Sequence, residues 1–167
     1  MKYIKTFIAV ILLVCLDQIT KLWAVNTLRG TDGIPIIKNV FHLYYLENFG
    51  GAFGIFQNKQ PFFIVTTLIT VVLIFIVYTN VPADKKYLPI RACMVFIMAG
   101  AFGNLIDRVR YNYVIDFLYF KLIDFPVFNV ADCYVTVSLF LLAFMIFFVY
   151  KDDELSFLSF SKKQERK

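Results

Sequence analysis

The stretch from Phe62 to Val81 holds twenty residues without a charge, and Pro82 stops it. At about 1.5 Å per residue a helix of roughly 20 residues spans about 30 Å, the thickness of a bilayer's hydrocarbon. Nothing else in the chain limits its fold so strongly. Three more runs approach the same length: about 4–25, interrupted by Asp17, Gln18 and Lys21; about 89–105; and about 130–150, with Asp132 near its start. Composition agrees, since 60% of the 167 residues are hydrophobic and 17% charged. A soluble domain holds roughly 45–50% apolar and about 25% charged residues. Twenty Phe and ten Tyr cannot all be buried in a water-soluble protein of this size. The reading is a mainly α membrane protein with four transmembrane helices in a single domain over 1–167, ending in a flexible tail from about 152.

The first run has a rival reading as a cleaved signal peptide, because Lys2 and Lys5 precede Phe7–Val14 and Cys15 follows. Lipoprotein cleavage wants a small residue before the Cys, and here it is Val14. The apolar stretch also resumes past Asp17 as far as Trp23, so a retained helix is expected. Orientation follows the distribution of Lys and Arg. Lys2, Lys5, Lys85, Lys86, Arg91, Lys151, Lys162, Lys163, Arg166 and Lys167 fall in two tails and one short loop. The other seven are thinly spread over two longer connections. Both termini are therefore expected in the cytoplasm, and segments 26–61 and 106–129 outside. The net charge of +5 is then mostly positive-inside bias, and no nucleic-acid partner is implied.

The outward segments have their own patterns. Ile34–Tyr45 is rich in β-branched and aromatic residues between the turn signals Asp32-Gly33 and Asn48-Phe49-Gly50-Gly51, so one or two short strands are expected on the membrane surface. Leu118–Phe128 is amphipathic and aromatic and belongs at the interface.

Polar residues at membrane depth mark functional candidates, because a charge at the bilayer centre costs at least ~2.5–3.5 kcal/mol. Asp17 and Lys21 share a helix face at i,i+4 and read most simply as a structural ion pair. In Glu47-Asn48-Phe49-Gly50-Gly51-Ala52-Phe53-Gly54, glycine permits positive φ or close approach of another backbone. Ala99 and Gly103 give a small-xxx-small spacing suited to close helix packing. Packing does not explain why Asn104, Asp107 and Arg108 arrive together on the next turn. Asp116 and Asp132 each have apolar neighbours on both sides. Desolvation and a neighbouring carboxylate both raise a carboxyl pKa, and two acids sharing a proton can activate water against a peptide bond. Spacing alone leaves open whether the two meet, or stand as lone interfacial or capping carboxylates. Cys15, Cys93 and Cys133 lie in apolar stretches without CxxC spacing, so neither a disulfide framework nor a metal site is expected. A lone His42, and the absence of HExxH, Walker A and GxGxxG patterns, leave serine-, zinc- and phosphate-based chemistry without residues.

Taken in order, five stretches closely resemble the lipoprotein signal peptidases, or signal peptidase II, a family of bacterial membrane aspartic peptidases. They are Asp17-Gln18-Ile19-Thr20-Lys21, Asn48-Phe49-Gly50-Gly51-Ala52-Phe53-Gly54, Gly103-Asn104-Leu105-Ile106-Asp107-Arg108, Val114-Ile115-Asp116-Phe117 and Phe128-Asn129-Val130-Ala131-Asp132. The resemblance runs from the first span to the fourth. It excludes the tails and 26–40, and it departs at Cys133, where the family most often has Ser. It implies that Asp116 and Asp132 are the catalytic pair and that Asn48, Gly50, Asn104, Arg108 and Asn129 line the site. It places Asp17, Lys21 and Asp107 as support for the fold. It implies no cofactor. The substrate would be a prolipoprotein carrying a diacylglyceryl-Cys, cut just before that Cys at the outer face of the bacterial cytoplasmic membrane. The implied fold is four helices with a small extracytoplasmic β-cradle and a short interfacial helix, working among membrane lipids as a monomer. The alternative is a small ion or proton-coupled transporter using Asp17, Lys21 and Asp132. A relay needs polar steps across the full thickness, and the second span offers none.

Overall fold

A computed structural model of the chain describes residues 2–51 and 55–158. Ala52, Phe53 and Gly54 of the glycine-rich motif, and the tail beyond Leu158, lie outside the described residues. Four helices are long and apolar enough to cross a membrane. They are α1 (Lys2–Leu28), α2 (Gln60–Asn80), α3 (Leu88–Tyr111) and α4 (Val130–Phe144), the last running on into a π-helical turn at Met145–Val149. Pro61 and Pro89 sit in the first turns of α2 and α3, where a missing N–H does no harm.

The third helix is longer than the expected 89–105. Asp107 and Arg108 fall at the start of the expected outward segment 106–129, yet both are buried within α3, where Lys21 meets Asp107 and the Phe63 ring meets Arg108. Asn112 ends the helix in the left-handed conformation with φ of 62°, and its N–H bonds to the Arg108 carbonyl.

Strands β1 (Ile34–Ile37), β2 (Phe41–Asn48) and β3 (Val114–Tyr119) form an antiparallel sheet in that order. The sequence pattern pointed to β1 and β2 but not to β3. Val114–Phe117 is buried at every position, so the alternation that marks a half-exposed strand is absent. Gly33 enters the sheet with φ of +82°, and a Cβ there would lie 2.5 Å from the Leu43 carbonyl oxygen. The helical element of this outer region is one 3-10 turn at Lys121–Ile123, and the chain then returns so that Phe128 bridges Leu118.

The sheet packs at one end of the bundle, against α1 and α3, with the start of α4 bonded to β3 through Asn129 and Asp116. Ala24 and Leu28 of α1 pack there against Phe117 of β3. Trp23 meets the Phe117 ring edge-on at 6.4 Å. At the far end Tyr78, Met94, Met145 and Tyr150 belong to a second apolar cluster. Within the stretch expected to be a flexible tail, Asp152–Leu158 forms a 3-10 helix whose Leu155 and Phe157 pack on that cluster. About half of α3's spanning stretch is buried, against 17% for α1 and less for α2 and α4. So α3 is the central helix, and the other three present Phe, Ile, Leu and Val outward.

Candidate active site

Two local features aim the carboxylates. In the ladder between β2 and β3, Leu46 pairs with Asp116 and Asn48 with Val114. Asn48 and Asp116 are thus diagonal neighbours on one face of the sheet. Asn48 Nδ2 donates to Asp116 Oδ2 at 2.9 Å, and Asn48 Oδ1 accepts the Gly50 N–H at 3.0 Å. The second feature is the capping box that starts α4. Asn129 Oδ1 accepts the Asp132 N–H at 3.0 Å, and Asp132 Oδ2 accepts the Asn129 N–H at 3.1 Å. This reciprocal pair satisfies two N–H groups left free at a helix start. Asp132 therefore has a capping role, and that role leaves its other oxygen available.

Asn129 joins the two halves. Its Nδ2 donates to Asp116 Oδ1 at 2.6 Å, while its backbone N–H holds Asp132. Asp132 Oδ1 accepts from Asn104 Nδ2 at 2.8 Å. Each carboxylate thus receives two N–H donors, and one residue serves both. Asp116 lies on β3, outside the spans, and is 1% exposed. Burial, and then the charge of Asp132, push its carboxyl up to about 7. A buried carboxyl beside a second carboxylate is held toward its neutral form.

A cavity of about 810 Å³ opens on the pair, lined by Asn48, Asn104, Arg108, Asp116, Asp132 and Cys133, with apolar walls from Phe49 and Phe125–Phe128. The Arg108 guanidinium lies 4.8 Å from the Phe63 ring centroid. Among the described residues it makes only long bonds, to the Gly50 carbonyl at 3.4 Å and to the Asn104 carbonyl at 3.5 Å, and its buried Nε meets no hydrogen-bond partner among them. Gly50 and Gly51 do not adopt positive φ. Close approach explains Gly50: a Cβ there would lie 2.7 Å from the Ile55 carbonyl oxygen.

Behind the cavity lies a second polar layer. Lys21 pairs with Asp17 at 3.0 Å and with Asp107 at 2.8 Å, all three buried. Asp17 Oδ1 accepts the Ala131 N–H at 2.9 Å, and Asp107 Oδ2 the Ile115 N–H at 3.1 Å. Each carboxylate thereby fixes the backbone next to a site aspartate. Gly103 makes room, since a Cβ there would lie 2.5 Å from Asp17 Oδ2. Sequence reasoning noted Gln18 but gave it no role; it donates to Asp107 at 2.9 Å and to the Gly103 carbonyl at 3.2 Å. The same reasoning passed over Gln60, whose Nε2 holds the Phe49 carbonyl at 2.7 Å, and the rim network of Arg29 and Tyr45 on Glu47. Burial, and then bonds to Tyr113 and Glu47, push the Tyr45 phenol up. A polar residue inside a spanning run was the available signal for Gln18. Nothing in the sequence marks the partner it reaches.

Every residue expected to line the site is at this cavity or bonded to one that is. Asp17, Lys21 and Asp107 form the layer behind it. The family described as signal peptidase (SPase) II matches residues 9–148. A lipoprotein signal peptidase of Clostridioides difficile (strain 630) is 45% identical over 143 residues, covering 85% of this chain and 95% of that protein. One from Clostridium tetani (strain Massachusetts / E88) is 43% identical over 150 residues, covering 87% and 92%. Among solved structures, a bacterial membrane enzyme superposes with a TM-score of 0.73 at 29% identity, covering 98% of this chain and 94% of its own.

Proposed function

The chain belongs to the signal peptidase II family, and on that premise we propose that it works as an aspartic endopeptidase on lipid-bearing precursors, with Asp116 and Asp132 as its catalytic pair. As a membrane signal peptidase it removes a signal peptide. The finer reading is that the substrate is a prolipoprotein whose Cys already carries a diacylglyceryl group, and that the cut falls just before that Cys. The observation that carries this reading is the shared hold of Asn129 on both carboxylates, at a cavity walled by apolar side chains.

The chemistry follows from the two environments. Asp132 receives two N–H donors at the N-terminus of α4, where the helix dipole favours negative charge. It acts as the ionised base that takes a proton from water as the oxygen attacks the scissile carbonyl. Asp116, the carboxyl raised toward neutrality, keeps its proton and donates it as a hydrogen bond to that carbonyl oxygen. When the C–N bond breaks, the leaving amine receives a proton from the pair. The water-poor setting strengthens each of these interactions. Arg108 Nε and the Asn48 amide at the cavity wall are suited to backbone carbonyls of the bound peptide.

The sheet end faces outward and both termini the cytoplasm, as ten of the seventeen Lys and Arg fall, along the sequence, in the two tails and the stretch 85–91. A substrate held in the bilayer then reaches the cavity sideways, with its acyl chains in hydrocarbon beside the monomer. The test is a gel-shift assay on purified protein in detergent, with a synthetic diacylglyceryl-modified prolipoprotein and the same peptide without lipid. Cleavage of the lipidated form alone is expected. A folded protein that cuts neither form, or both equally, refutes the substrate assignment.

A further inference from the structure

Lys21 is 1% exposed and bonds in three directions. Asp17 and Asp107 already give this one ammonium two carboxylates. Its third bond, 2.9 Å to Asn104 Oδ1, is not needed for charge balance. That bond ends on the side chain whose Nδ2 donates to Asp132 at 2.8 Å. The two ends of an amide are alike in shape and opposite in hydrogen-bonding sense, so only partners decide which way it points. Asn104 Oδ1 also accepts from Asn129 Nδ2 at 3.1 Å. Turned over, Asn104 would set its NH2 against the ammonium and its oxygen against the Asp132 carboxylate.

Resting on the peptidase reading above, we infer that Lys21 is a positioning residue for hydrolysis, acting through Asn104 to keep an N–H donor on Asp132. This goes beyond support of the fold. Asp17 and Asp107 bind backbone N–H groups of neighbouring elements, whereas Lys21 reaches a side chain that touches the catalytic pair. An uncharged donor at this position would hold the amide less firmly, and a residue with no donor would leave its oxygen to Asn129 alone.

The test is a double-mutant cycle in the full-length protein, with Lys21→Gln, Asn104→Ala and the pair combined. kcat and KM are measured separately on the lipidated substrate, and folding is followed by thermal unfolding. Loss of one charge-assisted bond acting through an intermediary lowers kcat on the order of tenfold, with KM within about twofold. In the Asn104→Ala background the same change alters kcat by less than about twofold, because residues that act through one another are not additive. A residue that only supported the fold would show equal losses in both backgrounds. Equal losses, or a folded Lys21→Gln with wild-type kcat, overturn the inference and leave the peptidase reading standing. A wild type that cuts nothing removes both. If Lys21→Gln does not fold, Lys21→Met with Asp107→Asn keeps the net charge of the cluster and is compared with Asp107→Asn alone. The same loss, vanishing again with Asn104→Ala, is expected. Failure of this variant to fold as well assigns Lys21 to support alone and overturns the inference.

Discussion

Replacing Asp116 by Asn should abolish cleavage and raise the protein's stability relative to wild type as pH climbs toward and past about 7. The carboxyl is 1% exposed and is raised from 3.8 to about 7, first by burial and then by Asp132. Its folded pKa lies above its unfolded one, so the stability present below about pH 4 is lost as pH rises through about 7. The gap is about 3 units, worth about 4 kcal/mol at roughly 1.4 kcal/mol per unit. Asn carries no such penalty. It does place an NH2 group against Asn48 Nδ2 or Asn129 Nδ2, which both donate to the carboxylate, at a cost of about 1–3 kcal/mol independent of pH. The robust quantity is therefore the change with pH. Between about pH 5 and about pH 8.5 the stability of Asp116→Asn relative to wild type should rise by about 2–3 kcal/mol. Unfolding in detergent at both pH values, followed by helical signal, measures it. A difference that stays flat across this range would refute the assignment of a raised carboxyl at Asp116.

Three other outcomes are expected. Gly103→Ala should lower stability by about 1–3 kcal/mol through overpacking, since its Cβ would meet Asp17 Oδ2 at 2.5 Å and the Ala131 Cβ at 3.2 Å; thermal unfolding in detergent reads it, and an unchanged midpoint would count against the close approach of α1, α3 and α4. Asn129→Ala removes the cap of α4, at about 1 kcal/mol, and one donor to Asp116, so kcat should fall on the order of a hundredfold while the protein still folds; kinetics within a few-fold of wild type would deny it a place in the site. Single cysteines placed at Lys121 and Lys86 in a background without other thiols should label from opposite sides of intact cells or inverted vesicles; labelling from one side would refute the proposed topology.

The spans could be read from the sequence because bilayer thickness imposes one length on any helix that crosses it. The length of α3 beyond its span could not, since nothing local shows that Asp107 and Arg108 are buried until Lys21 and the Phe63 ring are placed beside them. The strand β3 stayed hidden because both its faces are covered, which erases the period of two. Asp17 and Lys21 were visible as a pair from their spacing, but not the link from Lys21 through Asn104 to Asp132, which crosses between helices. The site aspartates were individually conspicuous as carboxylates in apolar surroundings. Their common partner Asn129 is what tertiary structure adds, because one sequence position supplies a helix cap and a cross-link at once.

The most direct test of the catalytic pair is single-turnover cleavage of the diacylglyceryl-modified substrate by wild type, Asp116→Asn and Asp132→Asn, with each variant shown to be folded. Both variants should fall to background while the wild type cuts before the lipidated Cys. Substantial cleavage by either folded variant would contradict a two-aspartate mechanism at Asp116 and Asp132.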